Sequence, residues 1–182
     1  MPHETYPWWI AYAWDNPLRR LVHDPKRILG GLVTPGATVA DIGCGVGSFS
    51  VAMAKMVGDQ GRVIAVDVRP NMLKATRRRA RLARVAQRID YHQCTLTRLD
   101  IEPPLDFALA FWMVHEIDNL PAFFAELRAT LKPGARMLLA EPYAHVSRRT
   151  YTHEVETARA AGFTVQDRPQ IHISRAALLA NE

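Results

Sequence analysis

The chain has 182 residues, 48% of them apolar and 23% charged, with a formal net charge of +5 at neutral pH. That length suits one domain with one substantial core, and the composition is that of a globular protein rather than a membrane span or a disulfide scaffold. No apolar run reaches the length that crosses a bilayer, and two cysteines, Cys44 and Cys94, are too few for a disulfide framework or a zinc cluster.

The N-terminus, MPHETYPWW, lacks a basic start and an apolar signal core, so no export signal is expected and a reducing cytoplasm is the expected setting. ATVADI (Ala37–Ile42) predicts the first strand, followed by a helix over about 47–57. RVIAVDV (Arg62–Val68) predicts the second, with a helix from about Pro70 to Val85. RIDYHQC (Arg88–Cys94) is the third. Thr95 to Pro104 shows no helical pattern, so the crossover there is expected to be abbreviated. LDFALAFWMV (Leu105–Val114) predicts a long apolar strand, then a helix over about 120–131. ARMLLAE (Ala135–Glu141) is a fifth strand, with a helix over about 147–161. FTVQDR and HISRAALLA close the chain as strands. Too few residues separate these two for a parallel crossover, so they should pair antiparallel. The alternation of strands and helices predicts an α/β fold, doubly wound and mostly parallel, with a C-terminal antiparallel hairpin.

One stretch stands out, VADIGCGVGSFS, from Val39 to Ser50. Glycine loses more backbone entropy on folding than any other residue. Three of them between a strand and a helix suggest that something approaches the backbone closely. In a doubly wound sheet, ligands bind beyond the carboxyl ends of the strands. A helix N-terminus there offers unpaired N–H groups to a carboxylate or phosphate. Asp67 ends the second strand, 20 residues after Gly47. A carboxylate in that place suits a ribose diol, so the glycines and Asp67 together read as a site for an adenosine-containing ligand. The alternative for Asp67 is a cap on the helix that follows. Asp41 has a similar alternative, as a local cap of the glycine turn. A nicotinamide site would favour G-x-G-x-x-G, whereas Gly43-Cys44-Gly45-Val46-Gly47-Ser48 ends in serine.

With Asp41 two residues ahead, the glycine pattern resembles the first motif of class I S-adenosylmethionine-dependent methyltransferases, D/E-x-G-x-G-x-G. VIAVDVRPNML resembles the ribose motif of that family, DFALAFWMVHEI its fourth-strand motif and LKPGARMLLAEP its fifth-strand motif. The resemblance runs from about Val33 to Pro142 and is similar to small bacterial methyltransferases near the quinone and arsenite methylating enzymes. It implies a single methyltransferase domain over residues 1–182, with 1–30 as an aromatic-rich N-terminal extension, and a seven-stranded Rossmann-like sheet. It implies S-adenosyl-L-methionine as cofactor. Asp41, Gly43, Gly45 and Gly47 would frame its methionine part, Asp67 would hold the ribose and Val68 would lie beside the adenine. The span from Phe111 to Val114 would run past it. The loop after the third strand carries Cys94 and Thr95 where the family often has an aspartate against the adenine. Cys94 is then either a cofactor neighbour or a small buried apolar residue. Arsenite methylation needs several cysteines, and only Cys94 lies outside the glycine turn.

The resemblance implies methyl transfer to a small-molecule acceptor by in-line displacement, in which the protein mainly aligns the reactants and excludes water. His115 is the first candidate for a base and His145 the second. The alternative for His115 is a bond to a backbone carbonyl that only shapes the loop. His115, Glu116, Asp118 and Asn119, or His145 and His153, lack the spacing of a zinc helix, so no metal is expected and a helix cap is the preferred role. No D/N-P-P-Y follows the fourth strand, which argues against methylation of DNA bases. Arg77, Arg81, Arg84 and Arg88 fall on one face of the predicted helix. That face is either solvated or a phosphate-binding surface for RNA or an acidic partner, without aromatic residues for base stacking. Trp8, Trp9 and Trp14, with Tyr6 and Tyr12, make the N-terminus a core anchor, a lid over the acceptor or a dimer contact. The expected state is a monomer or homodimer without a membrane or nucleic-acid partner. The rival functions are an RNA or protein methyltransferase and a non-catalytic regulatory protein that binds S-adenosylmethionine. A nicotinamide oxidoreductase is a further rival.

Overall fold

The computed structural model describes residues 23–102 and 104–182. The aromatic segment containing Trp8, Trp9 and Trp14 lies outside them. Among the described residues, a short helix α1 (Pro25–Leu29) precedes β1 (Thr38–Ile42), α2 (Ser48–Val57), β2 (Arg62–Asp67), α3 (Pro70–Leu82) and β3 (Ile89–Gln93). Then come β4 (Leu105–Phe111), α4 (Leu120–Thr130), β5 (Leu131–Pro142), α5 (Arg148–Ala160), β6 (Phe163–Asp167) and β7 (Ser174–Asn181). The strands form one seven-stranded sheet in the order β3-β2-β1-β4-β5-β7-β6. All neighbours from β3 to β5 pair in parallel, and β7 runs antiparallel to both β5 and β6.

The apolar runs of the central strands follow from burial on both faces. Successive side chains of a strand point to opposite faces. Val39, Leu109 and Leu138 therefore join Phe49, Met53 and Val57 of α2 in one core. Their neighbours Ala40, Ala108 and Leu139 join Phe124 and Leu127 of α4 and Val155 of α5 in the other. The crossover between β3 and β4 has no helix among its described residues. Glu126 of α4 pins it by accepting from the Leu99 N–H at 3.0 Å and the Asp100 N–H at 2.8 Å.

The strand order reverses between β1 and β4. Ligands bind at such a switch point, and here it brings the glycine turn after β1 beside the turn after β4.

Several boundaries differ from the sequence expectation. β4 stops at Phe111 rather than Val114, because Trp112 turns into the left-handed region (φ 62°) and its N–H donates to the Ala140 carbonyl at 2.7 Å. A 3-10 turn, Val114–Glu116, follows. β5 begins at Leu131, where it pairs with Leu105 before a register shift. α3 ends at Leu82, and Arg84 has φ 57°. The single face of four arginines therefore does not form. Arg77 lies over the Tyr91 ring, while Arg88 sits in a separate 3-10 turn and pairs with Asp59. α1 was not expected, although Asp24 caps it and proline stands at its first position.

Candidate active site

The glycine turn is built by three left-handed residues, with φ of 70° at Gly43, 53° at Gly45 and 78° at Gly47. Their surroundings separate them. A Cβ at Gly43 would come within 2.9 Å of Met113, in the turn after β4, and one at Gly47 within 2.5 Å of Thr76 on α3. At Gly45 it would meet no atom of the described residues within 4 Å. Gly43 and Gly47 are thus glycines because the protein packs against them, and Gly45 faces open space. α2 starts directly after Gly47, which has no side chain to cap it, so the glycine turn leads straight into the helix.

Asp67 ends β2 and is 3% exposed. Its carboxylate accepts the Gly45 N–H through Oδ2 and the Arg69 N–H through Oδ1, each at 2.9 Å. The N-cap of α3 is Arg69 rather than Asp67, which rules out the simple cap role. Asp67 instead ties the glycine turn to the end of β2, an interaction that sequence could not show because it spans 22 residues. Asp41 is equally buried and accepts the Ser50 hydroxyl at 2.5 Å, joining β1 to the first turn of α2.

Val68 is half-buried next to Asp67, and its carbonyl accepts from the Gln93 amide at 3.3 Å. Cys94 follows β3 and bonds the Asp67 carbonyl through its own N–H at 3.3 Å. These residues share the carboxyl ends of β2 and β3. Burial pushes the Cys94 thiol up to about 11, with Asp67 adding to the shift. Cys44 lies inside the glycine turn, and burial together with the Asp41 and Asp67 carboxylates raises its thiol well above the ordinary range. Neither cysteine is poised as a thiolate. Phe111 is buried between Phe49, at 4.6 Å between ring centres, and Trp112, at 5.5 Å.

On the other side of the switch point, His115 Nδ1 donates to Glu141 Oε2 at 2.6 Å. Glu141 is fully buried at the end of β5, and its other oxygen accepts the Val114 N–H at 2.7 Å and the His115 N–H at 3.3 Å. The partner of His115 is thus a carboxylate rather than a backbone carbonyl. The ring is held in one tautomer, with Nε2 left as its basic nitrogen. Burial alone would lower the His115 pKa, but the Glu141 hydrogen bond and charge, with Glu116 and Glu154, outweigh it and raise the pKa above 6.5. His145 is exposed in the loop between β5 and α5. Asn119 caps α4, accepting the Ala122 N–H at 3.2 Å, which is the cap role expected for that stretch.

Glu154 on α5 is the residue that sequence reading missed. It is fully buried, neither carboxyl oxygen has a hydrogen-bond partner, and burial pushes its pKa up to about 8. One signal was present: Tyr151, Val155 and Ala158 form the buried stripe of α5, and position 154 falls on it. Among the described residues, no group of three or more His, Cys, Asp or Glu side chains could hold a metal ion, and no helix is long and apolar enough to cross a membrane.

Residues 39–134 match a family model described as a methyltransferase domain. A ubiquinone biosynthesis O-methyltransferase of Xanthomonas campestris pv. campestris is 32% identical over 139 residues, covering 73% of this chain and 55% of that protein. A ubiquinone/menaquinone biosynthesis C-methyltransferase of an Enterobacter species is 33% identical over 112 residues, covering 60% of this chain and 44% of that protein. The chain spans about half the length of these curated relatives. A crystal structure of a SAM dependent methyltransferase from Aquifex aeolicus superposes with a TM-score of 0.85 over 96% of this chain and 98% of the other, at 20% identity, a likeness of fold. A seven-stranded doubly wound sheet, a glycine turn at its switch point and a family match over more than half the sequence lead to one conclusion: the chain belongs to the methyltransferase domain family.

Proposed function

We propose that the protein is an S-adenosylmethionine-dependent methyltransferase acting on a small-molecule acceptor. The observation that carries this reading is the face of Gly45, open among the described residues, beside the Asp67 carboxylate at the carboxyl ends of β1 and β2. These groups fit the cofactor. Asp67 keeps acceptor capacity beyond its two backbone bonds and can take ribose hydroxyls. The backbone of Gly43, Gly45 and Gly47, with Asp41 behind it, frames the methionine part. Val68 and Cys94, at the ends of β2 and β3, are the neighbours inferred for the adenine, and Phe111, at the end of β4, is a further inferred contact of the cofactor.

When bound, the cofactor supplies an activated methyl group. The protein aligns the acceptor, excludes water and disposes of a proton. His115 Nε2 takes that proton while Glu141 fixes the ring through Nδ1. A base of this kind suits an acceptor with a weakly acidic hydroxyl. The names of the relatives, which place O- and C-methylation in quinone biosynthesis, support a compound of that class. His145 is the second candidate for this role. The cytoplasm is the setting inferred for it, and a monomer or homodimer the inferred state.

Calorimetry tests the cofactor. S-adenosylhomocysteine should bind and NAD should not. Asp67→Ala should weaken the former by about 1–3 kcal/mol, the cost of leaving buried polar groups unpaired. Binding of NAD alone would overturn the reading, and an unchanged affinity in Asp67→Ala would confine that residue to bracing the turn.

A further inference from the structure

Behind His115 and Glu141 lies a second carboxyl that the chemistry above does not use. Glu154 reaches into the core from α5 and is fully buried, and among the described residues neither of its carboxyl oxygens has a hydrogen-bond partner. Glu141 beside it is equally buried, but it is satisfied by two backbone N–H groups and the imidazole. Two carboxylates cannot both stay ionised in such a place with only one imidazolium to balance them. Two backbone N–H groups donate to Glu141 and favour its ionised form, whereas no donor serves Glu154 among the described residues. The proton therefore belongs on Glu154.

We propose that Glu154 is a positioning residue of the His115–Glu141 pair, and that the three side chains hold protons as one buried acid–base unit in which protonated Glu154 leaves His115 free to release its own. The charges close. With His115 as imidazolium, Glu141 ionised and Glu154 protonated, the unit is neutral. It can lose one proton from either His115 or Glu154, and the two losses compete. Once Glu154 ionises, a second negative charge bears on the imidazole and His115 holds its proton more tightly. While Glu154 stays protonated, neutral His115 can accept a proton at Nε2 and return it to solvent through its exposed edge, 25% of the side chain. The upward shift of Glu154, from burial and then from Glu141, agrees with this assignment.

The charged and titratable groups around Glu154 come from each neighbouring element. Glu141 stands on β5, His115 and Glu116 on the turn after β4, and Tyr151 on α5 itself. Arg168 and Arg175 act on Tyr151, but Arg168 Nη1 donates to the Tyr151 hydroxyl at 3.5 Å and Arg175 Nη1 to the Val146 carbonyl at 2.7 Å. From α4, Glu126 and Arg128 are engaged elsewhere, with the Leu99 and Asp100 N–H groups and with the Glu182 carbonyl. No cation bonds to either oxygen of Glu154.

The role of His115 as a base rests on the methyltransferase reading; the shared protons do not. The test is an NMR titration of the isotopically labelled full chain between about pH 5 and about pH 10, with calorimetry of S-adenosylhomocysteine on the same samples. The Glu154 carboxyl carbon should titrate near pH 8. The His115 ring should titrate in two steps, one sharing that midpoint. In Glu154→Gln it should titrate in a single step, lower by on the order of one pH unit. Should the glutamine variant fail to fold, Glu154→Met must show the same single step. A Glu154 carboxyl that titrates below about pH 6, or a His115 curve unchanged by the substitution, overturns the proposal. Loss of S-adenosylhomocysteine binding in the native chain would instead count against the cofactor reading and leave the titration result standing.

Discussion

Among the described residues, a methyl group added at Gly45 would touch no atom within 4 Å, whereas at Gly47 it would lie 2.5 Å from Thr76 Cγ2 and 2.9 Å from Thr76 Cβ. Both residues have positive φ, so alanine at either costs roughly 1–2 kcal/mol of backbone strain. At Gly47 the clash with a β-branched side chain on α3 adds roughly 1–3 kcal/mol. Gly45→Ala should therefore fold with a modest loss of stability in urea denaturation and lose S-adenosylhomocysteine affinity by about tenfold or more, since its new methyl fills the ligand's space. Gly47→Ala should lose more stability than Gly45→Ala. Equal losses, or a Gly45→Ala protein that binds as the native one does, would remove Gly45 from the site. The sequence shows three equivalent glycines. Only the tertiary contacts separate the two that accommodate protein from the one that accommodates ligand.

The ends of β4 and β5, the start of α2 and the inner face of α5 meet around the site, and their coupling has a pH signature. His115 has a raised pKa in the folded state, so its bond to Glu141 contributes stability that is full below 6.5 and lost as pH rises through the folded value. Glu154 is raised from 4.5 to about 8, so the folded state holds a proton that the unfolded state releases. Stability then falls as pH climbs from 4.5 to about 8, by on the order of a few kcal/mol. Both effects have the same sign. The free energy of unfolding of the native chain should decline from weakly acid to alkaline pH, and Glu154→Gln should flatten most of that slope while keeping the smaller part due to His115. A native protein that gains stability towards pH 9 would contradict both assignments. Much of this element structure was legible beforehand. The central strands are apolar because both their faces are covered, and their order along the chain is the order of the motifs. What sequence could not show was set by contacts between elements: Trp112 in a left-handed turn ends β4 early, Leu131 pairs with Leu105 and extends β5, and Glu154, which the stripe of α5 already turns inward, meets the charges of Glu141 and His115 from other elements.

Taken as one molecule, the sheet has a chemical edge and a structural edge. Gly45, Asp67 and Glu141 all lie at the carboxyl ends of parallel strands, where the topology left room for a ligand. At the opposite edge, the last strand closes the fold. β7 lies between β5 and β6, and Asn181 near its end is 7% exposed. The Asn181 amide donates to the carbonyls of Leu131 at 2.8 Å, Lys132 at 3.2 Å and Arg128 at 3.3 Å, where α4 passes into β5. The Arg128 carbonyl also accepts the Leu131 N–H at the end of α4, and the Asn181 amide reaches all three carbonyls. The parallel register from Phe107–Arg136 to Phe111–Ala140 places this cluster a full strand length from Glu141. Asn181→Ala should therefore cost about 1–3 kcal/mol, the usual result of stranding buried acceptors, and lower the melting temperature by about 2–4 °C for each kcal/mol lost. Its affinity for S-adenosylhomocysteine, measured by calorimetry well below the transition, should stay within about twofold of the native value, because distant sites with no shared partner act independently. A fall in affinity that tracked the fall in stability would show that the two edges are coupled through β5, and the ligand site would then have to be treated as part of the same cooperative unit as the strand that closes the sheet.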